Sequence, residues 1–419
     1  MKVSASCSRN YLKSLQDSNL AAEEFKFKSV FAPVVFEFAK WAVNEASEAG
    51  IERLYFLARD AYFPYLAAKE IVKNRNLNID IRYLYVSRYS LRTAEFALDK
   101  KDCIDTVCIG GIDVTFHKIM QRAGLSDEEG KAFHKLSGYT KAFDEVLNKS
   151  DIQEVKELLR SCPEFLETVN KKSSGNLPKV LGYLEGEGLF DDIKFAVVDS
   201  GWVGGMQLSL ANILSAKKDV KVPGYYFGLY ELPKGVNSAD YHSFYFRPYK
   251  DICKKVRFSN CLFETVMSAP TGMTLGYEKT VEGYRPVFET QEGLNKGRIL
   301  TYEAWVKEYV TDAVAGGKDD SNSAKVLKRM ARLMEKPSVE EVNAFGDLKF
   351  CDDVLENTVL EIAAFLTDKE IKHINNVKSG WTEGSIVRNG KNVALRLLYL
   401  RLYKWISYLR KLFLHMGNR

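Results

Sequence analysis

The sequence predicts an α/β protein built on a mostly parallel, Rossmann-like sheet, with a helical insertion and a helical C-terminal region. Three observations predict it. Short apolar runs, RLYFLA (53–58), IDIRYLYVS (79–87), KFAVVD (194–199) and GYYFGLY (224–230), are strand-length and rich in aromatic or β-branched residues. Stretches with helical apolar spacing separate them, and strands alternating with helices form parallel sheets. Three of the runs end in polar residues, Arg59-Asp60, Ser87-Arg88 and Asp199-Ser200, at the carboxyl strand ends where such sheets collect ligands.

In chain order, residues 19–48 carry apolar positions Phe25, Val30, Phe31, Val34, Val35, Phe38, Trp41 and Ala42 and read as one long helix or two, stopping at Gly50. The first strand follows, then YFPYLAAKEIVK with helical spacing. The second strand runs into Arg88 and Arg92. Residues 111–190 are charge-rich and helical, broken at Gly124, Gly138, Pro163 and 173–176, and form the insertion. Strand patterns resume at 194–199, 224–230 and SFYFRPY (243–249), and after about residue 297 the chain reads as helix. The expected organisation is an α/β domain over 1–290 carrying the site and the insertion at about 111–190, a helical region over 291–389, and a basic amphipathic helix over 390–419. With 419 residues, 46% of them hydrophobic, the chain has ample material for a large core.

Charge is unevenly placed. The net +5 comes from the tail: Arg388, Lys391, Arg396, Arg401, Lys404, Arg410, Lys411 and Arg419 lie beyond Ile386 with no acid among them, leaving 52 basic against 55 acidic residues elsewhere. On a helical wheel Arg396, Arg401, Lys404, Arg410 and Lys411 share one half, while Leu395, Leu398, Leu402, Trp405, Ile406, Leu409, Leu412 and Phe413 take most of the other. That is the pattern of a helix lying in an anionic membrane surface; a C-terminal helix docked on the core with a solvated basic face shows it too. No nucleic-acid partner is expected. The seven cysteines are scattered without a C-x-x-C pair, which reads as reduced thiols, and the five histidines have no metal-like spacing. No secretory signal or membrane span is seen, so the expected location is cytoplasmic, peripheral on the inner face of the cell membrane.

The chemistry-bearing stretches are four. In FAVVDSGWVGGMQLSL (195–210) a strand, the acid Asp199, and a turn with Ser200, Gly201, Trp202, Gly204 and Gly205 lead into a helix, which presents backbone N–H groups to a phosphate. A tight turn with Asp199 as helix cap is the plainer alternative. In LYFLARDAYFPYLAAKEI, Asp60 is a nucleophile, a magnesium ligand or a cap, and Arg59 a phosphate clamp. VSRYSLR adds Ser87, Arg88 and Arg92. In RFSNCLFETVMSAPTG (257–272), Glu264 lies in an apolar segment that would raise its pKa toward that of a general base, and Ser268 opens the following loop.

Together GIERLYFLARDAYFPYLAAK, YLYVSRYSLR, VVDSGWVGGMQ and CLFETVMSAPTG resemble, in this order, a family of bacterial polysaccharide-biosynthesis proteins often labelled haloacid-dehalogenase-like hydrolases. Some members are dual-domain ribofuranosyltransferases that join a phosphatase domain to a glycan phosphoribosyltransferase domain, and residues 20 to about 280 resemble the second. The resemblance implies transfer of a 5-phosphoribosyl group from phosphoribosyl pyrophosphate, or another phosphosugar donor, to a sugar hydroxyl of a lipid-linked glycan. Dephosphorylation would fall to a separate phosphatase. Asp60, Asp199 and Glu264 are then the catalytic candidates, with Asp60 and Asp199 as ligands of Mg2+. The substrate-binding candidates are Arg59, Tyr62, Ser87, Arg88, Arg92, Ser200, Gly201, Trp202, Gly204, Gly205, Gln207 and Ser268. The chain departs from the usual pattern at Ala61, where glycine is more common. The alternatives are a phosphatase, against which stands the lack of Asp-x-Asp at any strand end, and a non-catalytic polysaccharide-assembly protein.

Overall fold

The structure, a computed structural model, describes residues 5–98, 100–111, 113–290, 292–316, 322–351, 359–367, 369–370 and 378–417. His373 and the last two residues of the predicted tail lie outside them. Helix α1 (Ala5–Glu48) precedes β1 (Arg53–Leu57), α2 (Tyr62–Asn74) and β2 (Asp80–Leu84). Six helices follow: α3 (Arg88–Glu95), α4 (Lys100–Val107), α5 (Phe116–Arg122), α6 (Asp127–Ser137), α7 (Lys149–Arg160) and α8 (Pro163–Gly186). Then come β3 (Phe195–Trp202), α9 (Gly205–Ser215), β4 (Gly224–Leu229), β5 (Tyr241–Phe246), α10 (Ile252–Val256), α11 (Asn260–Met267) and the hairpin β6 (Thr274–Thr280)–β7 (Gly283–Phe288). The C-terminal region holds α12 (Lys296–Ala315), α13 (Ser323–Glu335), α14 (Val339–Phe345), β8 (Lys349–Phe350), β9 (Leu360–Glu361), α15 (Thr382–Asn389) and α16 (Val393–Gly417).

Five strands form one sheet, parallel as the sequence predicts, in the order β2-β1-β3-β4-β5. Side chains alternate across it. Leu54, Phe56, Ala196, Val198 and Phe227 pack into the layer made by α1, α2 and α12–α14, whereas Tyr55, Leu57, Phe195 and Val197 pack toward α3, α8 and α9. Burial on both faces explains why the strands read as continuous apolar runs rather than alternating ones. The insertion owns a separate core around Ile104, Phe116, Met120, Val155 and Phe165, which also takes in Phe96, so its packing begins before residue 111.

Of the two readings of residues 19–48 the single helix holds; it begins further back, at Ala5, and has Pro33 inside it. Two features differ from the sequence reading. The strand expected to stop at Asp199 runs on to Trp202, because Gly201 and Trp202 keep the ladder by pairing with Gly228 and Leu229 of β4. The antiparallel hairpin β6–β7, and the short β8–β9 pair in the otherwise helical C-terminal region, have no counterpart in the expected pattern. Among the described residues, no helix is long and apolar enough to cross a membrane.

Candidate active site

The chain reverses direction across the sheet between β1 and β3: β2 lies on one side of β1 and every later strand on the other. At such a switch point the loops leaving neighbouring strands diverge and open a crevice at their carboxyl ends. Here that crevice is a cleft of about 490 Å3, bordered by Arg59 and Asp60 after β1, Ser87, Arg88 and Arg92 at the start of α3, Asp199, Ser200, Gly201, Trp202 and Gly205 from β3 into α9, and Glu264 of α11. An adjoining recess of about 110 Å3 carries Ser268 beside Arg59, Asp60, Arg88 and Glu264. The three acids expected to act together therefore meet in one place, although they are up to two hundred residues apart in the chain.

Neither aspartate is a helix cap. The residue capping α2 is Ala61 and that capping α9 is Gly204, and neither makes a side-chain cap hydrogen bond. The Asp60 carboxylate instead accepts a hydrogen bond of 2.7 Å from the hydroxyl of Ser200. The indole N–H of Trp202 donates to Glu264 Oε1. Trp202 holds this position with φ of +67°, a left-handed conformation that costs a tryptophan about 1 kcal/mol or more. Its ring is fixed against Phe246, Phe258 and Phe263.

The carboxylates crowd one another in a poorly hydrated floor. Burial raises Asp199 to about 7, and the charge on Asp60 adds to the effect. Glu264 rises to about 8 for the same two reasons, opposed by Arg88 and the indole hydrogen bond. Asp60 is also raised by burial, against the pull of the Ser200 hydrogen bond and of Arg59 and Arg88. The Arg88 guanidinium has no hydrogen bond or ion-pair partner among the described residues, and it borders the cleft and the recess beside it. A cationic group without a partner, facing three acids that resist ionisation, leaves room for an anionic ligand and for proton transfer near neutrality.

Several expected binding residues have other tasks. Tyr62, the first residue of α2, does not border the cleft; its hydroxyl donates to Glu303 of α12 at 2.8 Å. Gln207 is buried, donates to the carbonyls of Val222 and Asp240, and accepts from the hydroxyl of Tyr226. Gly204 does not border the cleft: a Cβ there would stand 2.6 Å from the ring of Tyr241. Gly201 does border it, yet its lack of a side chain serves the sheet, because a Cβ would meet the carbonyl of Gly228 at 2.5 Å. Ser87 caps α3 and gives its proton to the carbonyl of Thr274, tying the hairpin to the cleft wall. The expected glycine cradle thus shrinks to the backbone around Gly205. Glu231 borders the cleft and was not anticipated, although it lies two residues past the end of β4 and the strand-end rule that selected Asp60 applies to it equally.

Magnesium takes hard oxygen ligands and commonly completes its shell from one or two carboxylates plus substrate phosphates. Asp60 and Asp199 supply such carboxylates to one cleft, and bringing a divalent cation there would relieve their mutual repulsion. Among the described residues no group of three or more His, Cys, Asp or Glu side chains is gathered to hold a metal without help from a ligand. Comparison with protein-family models and with curated proteins returned no match.

Proposed function

We propose that the protein is a glycosyltransferase of surface-polysaccharide biosynthesis, moving a 5-phosphoribosyl group from phosphoribosyl pyrophosphate to a sugar hydroxyl of a lipid-linked glycan. The observation that carries this reading is the pairing, in one cleft at the sheet's switch point, of Arg59, Arg88 and Arg92 with three acids whose proton affinities are raised. Such a donor is strongly anionic at both ends and needs cations to seat it and acids to manage the proton of the acceptor. In the transfer, the bond from the donor's anomeric carbon to the pyrophosphate oxygen breaks and the acceptor oxygen takes its place. Arg88 and its neighbours hold the leaving diphosphate. Glu264 receives the acceptor's proton; a base at about 8 has strong proton affinity, with about a tenth of it ionised at pH 7. Asp60 and Asp199 would hold Mg2+, which when bound supplies positive charge to the leaving diphosphate.

Helix α16 supports a membrane-surface location. Its exposed residues include Leu395, Leu398, Leu402, Ile406, Leu409 and Phe413, a stripe at three- and four-residue spacing that turns away from the body. Contiguous apolar patches of this kind mark interaction surfaces. Not all of the expected basic face is free to meet headgroups. Arg401 Nε lies 2.6 Å from Glu335 Oε1 as an ion pair without a hydrogen-bond alignment, Lys404 pairs with Glu383 at 2.5 Å, and Arg396 donates to Asn389. Arg410 and Lys411 remain exposed. The reading places the protein on the cytoplasmic side of the membrane, with a separate phosphatase acting after it.

Mass spectrometry of a glycan acceptor incubated with the protein, Mg2+ and candidate donors tests the transfer. An increment of one phosphoribosyl group supports it. Release of free phosphate from a phosphosugar, with an aspartyl-phosphate or its beryllium fluoride analogue at Asp60, would instead make the protein a phosphatase.

A further inference from the structure

Beside the root of the apolar stripe lies a second recess, of about 260 Å3, between the loop after β4, helix α10 and the last turns of α16. Its walls are of two kinds. Ile252, Leu412 and Leu414 form an apolar side. The other side presents Lys255 and Lys411, with the rings of Tyr230 and Tyr408 stacked at 5.8 Å.

Lys255 is the unusual member. It is only 3% exposed, and its ammonium donates one hydrogen bond, 3.0 Å long, to the carbonyl of Tyr230. Among the described residues it has no carboxylate within ion-pair distance, although a buried ammonium is normally paired. The nearby Asp251 accepts instead from the backbone and guanidinium of Arg247. Burial pushes Lys255 down to about 8, and Lys411 adds to the effect while Asp251 and Glu231 oppose it. The recess therefore holds two close cations, one of them buried with only a carbonyl and the rings of Tyr230 and Phe246 as neutral partners, next to the exposed side chain of Leu414, whose chain neighbour Phe413 ends the stripe of α16.

Resting on the transferase reading, we propose that this recess binds the phosphate headgroup of the lipid that carries the acceptor, with the lipid chain leaving over the exposed Leu414 and Phe413 at the end of α16. The occupant is a phosphate-bearing amphiphile within a bilayer. Charge complementarity selects phosphate over a neutral headgroup. The apolar wall selects a lipid over a free ion. Position supports the same assignment: Glu231 borders this recess and the cleft alike, and its backbone adjoins Trp202 through the ladder between β3 and β4. A carrier lipid held at Lys255 would thus extend its glycan past Glu231 toward Glu264.

The test measures binding of the full-length protein to zwitterionic vesicles doped with a polyprenyl phosphate, against vesicles doped with an anionic phosphodiester lipid to the same surface charge. The expected result is at least tenfold tighter binding to the polyprenyl phosphate vesicles. That preference should disappear in Lys255→Met and in the surface variant Lys411→Gln, with the circular dichroism spectrum and donor affinity by calorimetry unchanged. The Lys411 variant keeps the test decisive if loss of the buried lysine impairs folding. Equal binding to both vesicle types, or an undiminished preference in Lys411→Gln, would overturn the proposal. Inorganic phosphate at millimolar concentration should compete only weakly; full competition would show a free-anion site instead and also overturn it. Donor affinity is read separately, so failure here leaves the transferase reading standing, and failure of that reading leaves the vesicle preference measurable.

Discussion

The cleft and the C-terminal helix break the same rule in opposite directions. Folded proteins bury apolar groups and hydrate charged ones; here Asp60, Asp199 and Glu264 are crowded, half-buried or buried, on one cleft floor, while Leu395 and Phe413 of α16 each stand 68% exposed. Both arrangements cost stability that ordinary packing would have kept. The cleft spends it on raised proton affinity, which only a reacting ligand can use. The helix spends it on hydrocarbon that only another apolar phase can cover. Even the ion pairs follow the contrast: on α16, Arg401 and Lys404 are turned inward to Glu335 and Glu383, so that the helix is held by its charged side and offers its apolar side.

The largest effect should come from breaking the cleft. Asp60→Asn is expected to reduce transfer by roughly 10²–10³-fold, the usual loss when one group that organises charge at a reacting centre is removed. The same change should steady the fold. Asp199 and Glu264 have folded values of about 7 and 8, above their ordinary 3.8 and 4.5, so between roughly pH 4 and 8 the folded state binds more protons than the unfolded one. Stability contributed by these groups is present below pH 4 and is lost as pH rises through 8, on the order of 2–4 kcal/mol after allowing for water in the cleft. Removing the Asp60 charge should flatten that slope, measured by chemical denaturation in chelator across the range. A slope unchanged by Asp60→Asn would show that the acids do not interact.

Breaking the helix should come next. Replacing Leu398, Ile406 and Phe413 together with glutamate interrupts the apolar stripe at three of its six positions, all of them exposed. Vesicle binding should fall by more than about 100-fold, since each large side chain buried in hydrocarbon contributes roughly 1.5–3 kcal/mol. The melting temperature should hold or rise. A lowered melting temperature would show that the stripe packs on the protein itself.

A smaller effect sharpens the chemistry. Trp202→Phe deletes the hydrogen bond to Glu264, which stabilises the carboxylate form, so Glu264 should titrate higher still. The acidic limb of kcat/KM, where this base ionises, should move up by roughly half a pH unit to one unit, and the rate at pH 7 should drop by roughly three- to tenfold. The smallest effect separates the two sides of the helix. Lys404→Gln leaves the buried Glu383 unpaired and should destabilise the fold by about 1–3 kcal/mol, whereas Arg410→Gln should leave stability unchanged and weaken binding to anionic vesicles by about fivefold. Equal loss of stability in both variants would erase the distinction between docked and offered charge.

Strand positions and the convergence of Asp60 and Asp199 were legible because parallel strands announce themselves as apolar runs and their carboxyl ends meet at one edge, whereas Glu264 comes from helix α11 and was picked out only by its apolar segment and the resemblance. The hairpin β6–β7 was not, since its residues are largely half-exposed and carry no clean two-residue alternation, with an irregular register at Thr274 and Gly276. Gln207 and Gly204 look like ligand-binding residues in a glycine-rich turn; their partners, Tyr226 and Tyr241, come from later strands that local spacing cannot place. A helical wheel likewise separates the two faces of α16 and is silent on which one meets the body. That choice is made by Glu335 and Glu383, which arrive from α13 and α15.

Trp202 has one more consequence, an optical one. Of the five tryptophans, it alone borders the cleft, with its indole N–H on an acid and its ring against three phenylalanines. Its emission depends on the protonation of Glu264 and on how wet the cleft is, while Trp381 is sealed in the core. The molecule thus carries a built-in fluorophore at the place where donor and acceptor would meet, and arrival of either can be followed in real time without a label.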